Sequence, residues 1–233
     1  MAQIEQRLLD GRLKAGDQLP SERELSTLLG VSRPSLRESL RVLESLGIVD
    51  IRRGGSDGGA RLVDSPGAGL VNLLKLQLAL GHFSQQDVLE TRLALEVWSI
   101  AEAADRRGDD DLDDLEAILD RMDDEQVSAA EFNGLDAAFH VRIAESSGNA
   151  LSAHLMGSLR LAIHRQMVER YARLADWRET AKTVRAEHRA LLDAIRTGDA
   201  TTAVARMRAH ILDFYSNSNS DTDADRPRDS PPR

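Results

Sequence analysis

No cysteine occurs in the 233 residues, so disulfides and thiolate metal sites are excluded, and any metal must be held by His, Asp or Glu. Long apolar runs are missing as well. The most hydrophobic stretch, Leu70 to Leu80, is short and interrupted by Asn72 and Lys75. Met1 to Arg12 alternates charge with apolar residues and lacks the continuous apolar core of a signal peptide. These absences lead us to expect a soluble, cytoplasmic protein with no membrane partner. No internal repeat is present. What the chain does have is a 41% hydrophobic content, enough to fill the core of one large or two modest globular domains.

The formal net charge of −9 is unevenly placed. Residues 1 to 61 hold ten Lys/Arg and nine Asp/Glu, a balance of +1, which leaves −10 for the remainder. An acidic chain can therefore carry a nucleic-acid reader at its N-terminal end. Asp105 to Glu125 contains eleven acidic residues, which read as a solvated helix face.

Gly and Pro punctuate the first 67 residues, and only short helices fit between them. Ile4, Leu8 and Leu9 mark one amphipathic helix, and Leu25, Leu28 and Leu29 a second. The second opens on Ser21 with Glu24 three residues later, a capping box in which each side chain satisfies the other's orphan backbone N–H. After a turn at Gly30, a third helix starts at Ser32, tolerates Pro34 in its first turn, aligns Leu36, Leu40, Leu43 and Leu46, and stops at Gly47. Ile48 to Arg53 and Ala60 to Val63 read as two strands around a glycine-rich tip. This is the order of a winged helix-turn-helix. From Leu70 the texture changes to long helical periodicity in about seven segments, with no β-type alternation, so the second part is an all-α bundle. The resulting division is 1–64 for the winged helix-turn-helix, 65–69 for a linker, 70–216 for the bundle and 217–233 for a disordered tail with almost nothing apolar.

In a helix-turn-helix the second helix of the pair enters the major groove N-terminus first, so its first turns must offer exposed donors. Arg33 and Arg37, four residues apart and opposite Leu36, can reach guanine edges or phosphates together, and Arg41 extends the row by a turn. Arg23 in the preceding helix could clamp a phosphate, while Arg52, Arg53 and the wing glycines could approach the adjacent groove. An arginine row on an isolated helix is often only a solvated face; the capped helix, turn, Arg-rich helix and glycine-tipped hairpin in sequence favour the DNA reading.

These residues resemble the GntR superfamily of bacterial repressors: Leu19-Pro20-Ser21-Glu22-Arg23-Glu24-Leu25, Gly30-Val31-Ser32-Arg33, Leu36-Arg37-Glu38 and Leu43 to Gly47. The resemblance implies DNA-contact roles for Arg23, Ser32, Arg33, Ser35, Arg37 and a wing-tip glycine, Gly54 or Gly55. Two features depart from the pattern. The first helix begins almost at Met1, and Pro34 stands where many members have a hydroxyl residue.

In the bundle, Asp136 and His140 are spaced i, i+4 and leave the same helix face. His188 lies with Val184, Leu191, Leu192 and Ile195, and His210 with Met207 and Phe214, so two further helices aim an imidazole at the core. One core histidine is usually a packing residue. Three converging with a carboxylate are hard to satisfy without a cation, and the N3O set suits Zn first, then Ni, Fe, Co or Mn, with a coordination position left open. His82, His154 and His164 fall outside this pattern.

The bundle is similar to the FadR-type C-terminal (FCD) ligand-binding domain in Arg92-Leu93, Leu95-Glu96, Asp136 to His140, Ser147-Gly148-Asn149, Glu187-His188 and His210-Ile211. The resemblance implies that Asp136, His140, His188 and His210 are metal ligands and that Arg92 projects into an effector cavity beside them. Arg92 could equally be an intrahelical partner of Glu96. The function expected is a homodimeric, operator-binding transcriptional repressor of the FadR subfamily, controlled by a small organic acid and with no catalytic residues. Two alternatives are a metal-dependent enzyme using the three histidines and Asp136, and a regulator for which the metal itself is the signal.

Overall fold

The computed structural model describes residues 2–52, 59–173 and 177–217. Arg53, Gly54, Gly55 and the tail after Asn217 lie outside the described residues. The chain divides into two compact units, Met1–Leu73 and Leu74–Arg233. That division falls within a helix, a few residues beyond the linker expected at 65–69.

In the first unit, α1 (Ala2–Leu9), α2 (Glu22–Leu29) and α3 (Arg33–Ser45) precede an antiparallel hairpin of β1 (Val49–Arg52) and β2 (Gly59–Leu62). The capping box at Ser21 forms as expected, and Gly30 ends α2 in the left-handed conformation. Ser32 caps α3 by accepting a hydrogen bond from the Ser35 N–H. The core joins Ile4, Leu25, Leu29, Leu36, Leu40 and Leu43 to Val49 and Leu62 of the hairpin. Three leucines expected to be buried are exposed: Leu9, Leu28 and Leu46. Leu28 flanks the Leu25/Leu29 stripe, and Leu46 is the C-cap of α3, where the helical register that buries Leu36, Leu40 and Leu43 has ended. A β-bridge from Gln18 to Arg61 widens the hairpin, with Leu62 N–H donating to the Asp17 carbonyl and Leu19 N–H to that of Ala60.

The second unit is all helix among the described residues. α4 (Gly69–Ala79) leads into it, followed by α5 (Gln85–Arg106), α6 (Asp109–Met122), α7 (Ala129–Ser146), α8 (Ala150–Arg173), α9 (Trp177–Thr197) and α10 (Ala200–Asn217). Capping boxes at Ser84 and Ser128 set the starts of α5 and α7. Phe132, Phe139, Ile100, Leu191, Ile195 and Ile211 form the centre of the core, so α7 lies between α5, α6 and α8 while α10 packs on α5 and α9. The acidic helix α6 is less free than its composition suggests. Arg142 of α7 holds Asp111 at 2.6 Å and Asp114 at 3.0 Å, and Arg189 and Arg196 of α9 hold Asp120 and Glu116 at 2.6 and 2.7 Å. Among the described residues no helix is long and apolar enough to cross a membrane.

One backbone crossing in the first unit requires glycine. Gly47 has φ +70°, and a Cβ there would lie 2.8 Å from the Gly67 Cα. Gly11 has a similar φ of +67° with nothing within 4 Å of its would-be Cβ. Gly11→Ala should therefore cost about 1 kcal/mol of backbone strain, and Gly47→Ala clearly more, because a backbone clash is added. Thermal melts of the two variants check this; equal losses would mean that the crossing can relax.

Candidate functional site

The α3 surface carries the residues expected to read DNA. Arg23, Ser32, Arg33, Ser35, Arg37 and Arg41 are all exposed. They are not equally free. Arg37 donates from Nε to Glu22 of α2 at 2.7 Å, and Arg41 lies 3.7 Å from Glu38 one turn back. Arg33, at the first position of α3, makes no side-chain contact of this kind among the described residues. Its position at a helix N-terminus, where unpaired N–H groups also point outward, suits a phosphate or a base edge. In the wing, Arg52 is held by Asp50 at 3.0 Å.

The second constellation is buried in the bundle and draws on five helices. α7 contributes Asp136 and His140, α9 His188, α10 His210, α5 Arg92 and Glu96, and α8 Arg160. One donor atom from each of Asp136, His140, His188 and His210 lies within 4.8 Å of all the others. Asp136 Oδ1 is 3.6 Å from His140 Nε2 and 3.4 Å from His188 Nε2, and His188 Nε2 is 3.4 Å from His210 Nε2. An ion bound tetrahedrally at about 2.0–2.1 Å spaces its donors about 3.4 Å apart, so these separations fit a single metal.

The hydrogen bonding around the histidines supports the same fit. His210 Nδ1 lies 2.6 Å from Glu187 Oε2, and His140 Nδ1 is paired with Glu96 Oε2. A carboxylate behind Nδ1 keeps the proton there and turns the Nε2 lone pair inward, as outer-shell carboxylates do for metal-bound histidines. Two inward lone pairs and the Asp136 oxygen then face one another with no hydrogen between them. His188 Nδ1 and both ring nitrogens of His140 are buried without a partner in hydrogen-bond geometry, the Glu96 contact at His140 Nδ1 being one of charge and proximity. Unsatisfied groups of this kind cost about 1–3 kcal/mol each, and a cation among the Nε2 atoms removes the lone-pair conflict. Burial, reinforced by neighbouring His210, pushes His188 well below its ordinary pKa; burial also lowers His210, against the opposing pull of Glu187. Both shifts favour the neutral imidazole, the form that binds metal, at His188 and His210.

Two arginines organise the acidic side of the site. Arg160 spans two carboxylates, donating to Asp136 Oδ2 at 2.9 Å and Glu96 Oε2 at 3.2 Å, and Arg92 donates to Glu96 Oε1 at 2.7 Å. Burial works against ionisation of Asp136 and Glu96, but Arg160 acting on both, with Arg92 on Glu96 and His140 on each, holds both carboxyls well below their usual range. Burial likewise opposes the charge on Arg92, and Glu96 and Tyr215 outweigh it. Arg92 has two placements in the structure. It is the buried intrahelical partner of Glu96, and it also lines a cavity of about 10 Å³ with Asn133, Asp136, Arg160 and His210. Met167 and Phe214 complete the cavity's apolar side.

Arg160 and Asn133 escaped the sequence reading. The signal for Arg160 was a lone cation breaking the buried row Met156, Leu159, Ile163 and Met167; for Asn133 it was an amide one turn before Asp136. His82 is exposed, and His154 and His164 are half-buried outside the donor set.

Comparison with known proteins gives a family match for each part of the chain. Residues 1–56 match the family model described as bacterial regulatory proteins, gntR family, and residues 87–213 match the FCD domain. The chain is 29% identical to the HTH-type transcriptional regulator LutR of Bacillus subtilis (strain 168) over 87% of its length and 91% of the relative's. It is 32% identical to an Escherichia coli (strain K12) protein described as an L-lactate dehydrogenase operon regulatory protein, over 85% of this chain and 77% of that one. Among solved structures, a Streptococcus agalactiae GntR aligns with a TM-score of 0.62 at 24% identity, covering 94% of this chain and 97% of that one, a likeness of fold.

If the four donors hold an ion, elemental analysis of the purified protein should find about one transition metal per chain. Chelation should lower the melting midpoint, because an ion that binds only the folded chain stabilises it. His188→Ala and His210→Ala should lose metal while His164→Ala keeps it. Equal retention in all three would show that these histidines are not the ligands.

Proposed function

The chain belongs to the gntR family of bacterial regulatory proteins, carries an FCD domain and is a transcriptional regulator; from there we propose a homodimeric repressor released from its operator by a small carboxylate at the His3Asp centre. The observation that carries this reading is the charge balance of the buried site. Arg92, Arg160, Glu96 and Asp136 cancel one another, so a divalent cation adds positive charge, which the half-buried Glu187 beside His210 can partly offset. Asp136, His140, His188 and His210 would hold the ion, Zn being the first candidate and Ni, Fe, Co or Mn also suited to the donor set. When bound, it supplies an open coordination position for an anionic oxygen. Arg92, stacked over the Tyr215 ring at 5.6 Å, offers a cationic second contact from the cavity wall. The small cavity favours a compact acid over a long-chain one. The relative described as an L-lactate dehydrogenase operon regulator supports the same class of effector.

On DNA, Arg33 and Arg37 are the base-reading candidates, Arg23 and Arg41 the phosphate contacts, and the Ser32 and Ser35 hydroxyls donors to the backbone. Arg53, Gly54 and Gly55 are proposed for the wing contact. A two-fold dimer would match a pseudo-palindromic operator. Effector binding and DNA binding are then coupled by linkage, each ligand preferring a different arrangement of the dimer.

On an operator selected from random duplexes, Arg33→Ala should weaken specific binding by about 1–3 kcal/mol and relax preference at one base position. Arg41→Ala should weaken specific and random duplexes alike and lower the salt slope by about one. Loss of specificity from Arg41→Ala and none from Arg33→Ala would reverse these roles. Small organic acids should raise the melting midpoint of the metal-loaded protein and release the operator. They should do neither on metal-stripped protein, and Arg92→Ala should bind them more weakly. Stabilisation by neutral or long-chain ligands alone would overturn the carboxylate reading.

A further inference from the structure

Asn133 lines the same cavity as Arg92, Asp136 and His210, yet among the described residues nothing engages its amide. The residue is only 3% exposed. It lies one helical turn before Asp136 on α7, and among the described residues its side chain makes no hydrogen bond, although every other polar side chain lining this cavity is paired. A buried primary amide without partners is costly, because it carries two donors and an acceptor that water would otherwise satisfy. The cavity's volume of about 10 Å³ corresponds to roughly one water molecule, which can serve the amide in the ligand-free protein. A second buried donor is also unmet: the Arg160 Nε–H has no acceptor.

Apart from that N–H, the charged groups of the site are engaged with one another. Glu96 and Asp136 are claimed by arginines and histidines, and Arg92 is held by Glu96. A carboxylate meeting the metal and Arg92 would fill the anionic requirement and still leave the Asn133 amide facing the ligand's carbon skeleton. A bare hydrocarbon there would expel the water and strand the amide. A hydroxyl would replace that water, since an amide can donate to it or accept from it. Met167 and Phe214, the apolar wall, are the side chains that must yield to admit a ligand larger than water, and the flexible Met167 is suited to this.

We propose that Asn133 is a specificity-determining residue that reads a hydroxyl on the effector, so that the regulator responds to short hydroxy acids and discriminates against their deoxy counterparts. The inference rests on the carboxylate reading above and adds to it the second functional group of the ligand and the residue that recognises it.

The test uses metal-loaded full-length protein and matched pairs of acids: glycolate with acetate, lactate with propionate, and malate with succinate. Dissociation constants are measured by calorimetry for the parent, Asn133→Leu and Asn133→Ala. In the parent, at least one hydroxy acid should bind about tenfold or more tightly than its deoxy partner, as expected when a buried polar group is left unpaired by the poorer ligand. In both variants that ratio should collapse toward one, while metal content and the affinity for the deoxy acid stay the same or, for Leu, improve. A purely structural role would weaken both members of a pair together and leave the ratio intact. A ratio that survives in Asn133→Leu or Asn133→Ala overturns the assignment of Asn133 while leaving a carboxylate effector in place. Equal binding of hydroxy and deoxy acids by the parent overturns the hydroxyl reading. If none of the six acids binds the parent, the carboxylate reading falls and this inference with it.

Discussion

The bundle is organised around Arg160, a buried cation that holds two carboxylates from two other helices. Taking a guanidinium out of water costs several kcal/mol, and that cost is tolerable only if its donors meet acceptors of opposite charge. Asp136 on α7 and Glu96 on α5 supply them, which fixes α5, α7 and α8 relative to one another. Each carboxylate then has a second use. Glu96 backs His140 and grips Arg92, while Asp136 turns its other oxygen toward His140 and His188. Removing one member would strand the rest, so the polar centre stands or falls as a unit.

That unit sits against the largest apolar side chains of the core. Phe139 stacks on His188 with ring centroids 4.6 Å apart, and α7 places Phe132 and Phe139 on the apolar side while Asn133, Asp136 and His140 face the polar one. Packing therefore fixes the imidazoles' orientation, and Glu187 and Glu96 fix their protons. What remains is a set of donors preorganised for a cation and a small space beside it with two arginines and an amide.

Much of this was legible in the sequence, for identifiable reasons. Helix starts at Ser21, Ser32, Ser84 and Ser128 are marked by their capping side chains, and the segments of the bundle follow from unbroken 3.6-residue periodicity. The four candidate metal donors could be grouped because each lies on an apolar face where an imidazole or carboxylate has no other justification. The contributions of Arg160 and Asn133 were not legible, since a lone Arg or Asn in a helix is ordinarily solvated and only the tertiary packing shows that it is not. Leu46 illustrates the converse limit: it continues the leucine spacing of α3, but the helix ends at Ser45 and leaves it exposed. Arg37 is similar, because its pairing with Glu22 joins residues fifteen positions apart and no local spacing reveals it.

The central claim is that three imidazoles and the Asp136 carboxylate hold one metal whose remaining coordination position takes the effector. X-ray absorption spectroscopy of the purified regulator at its metal edge tests this most directly, with and without a saturating hydroxy acid. The account predicts a shell of nitrogen and oxygen donors at about 2.0–2.1 Å with outer scattering from three imidazoles, and a change in the oxygen contribution when the acid is added. A spectrum without imidazole scattering, or one that no organic acid alters, would contradict it.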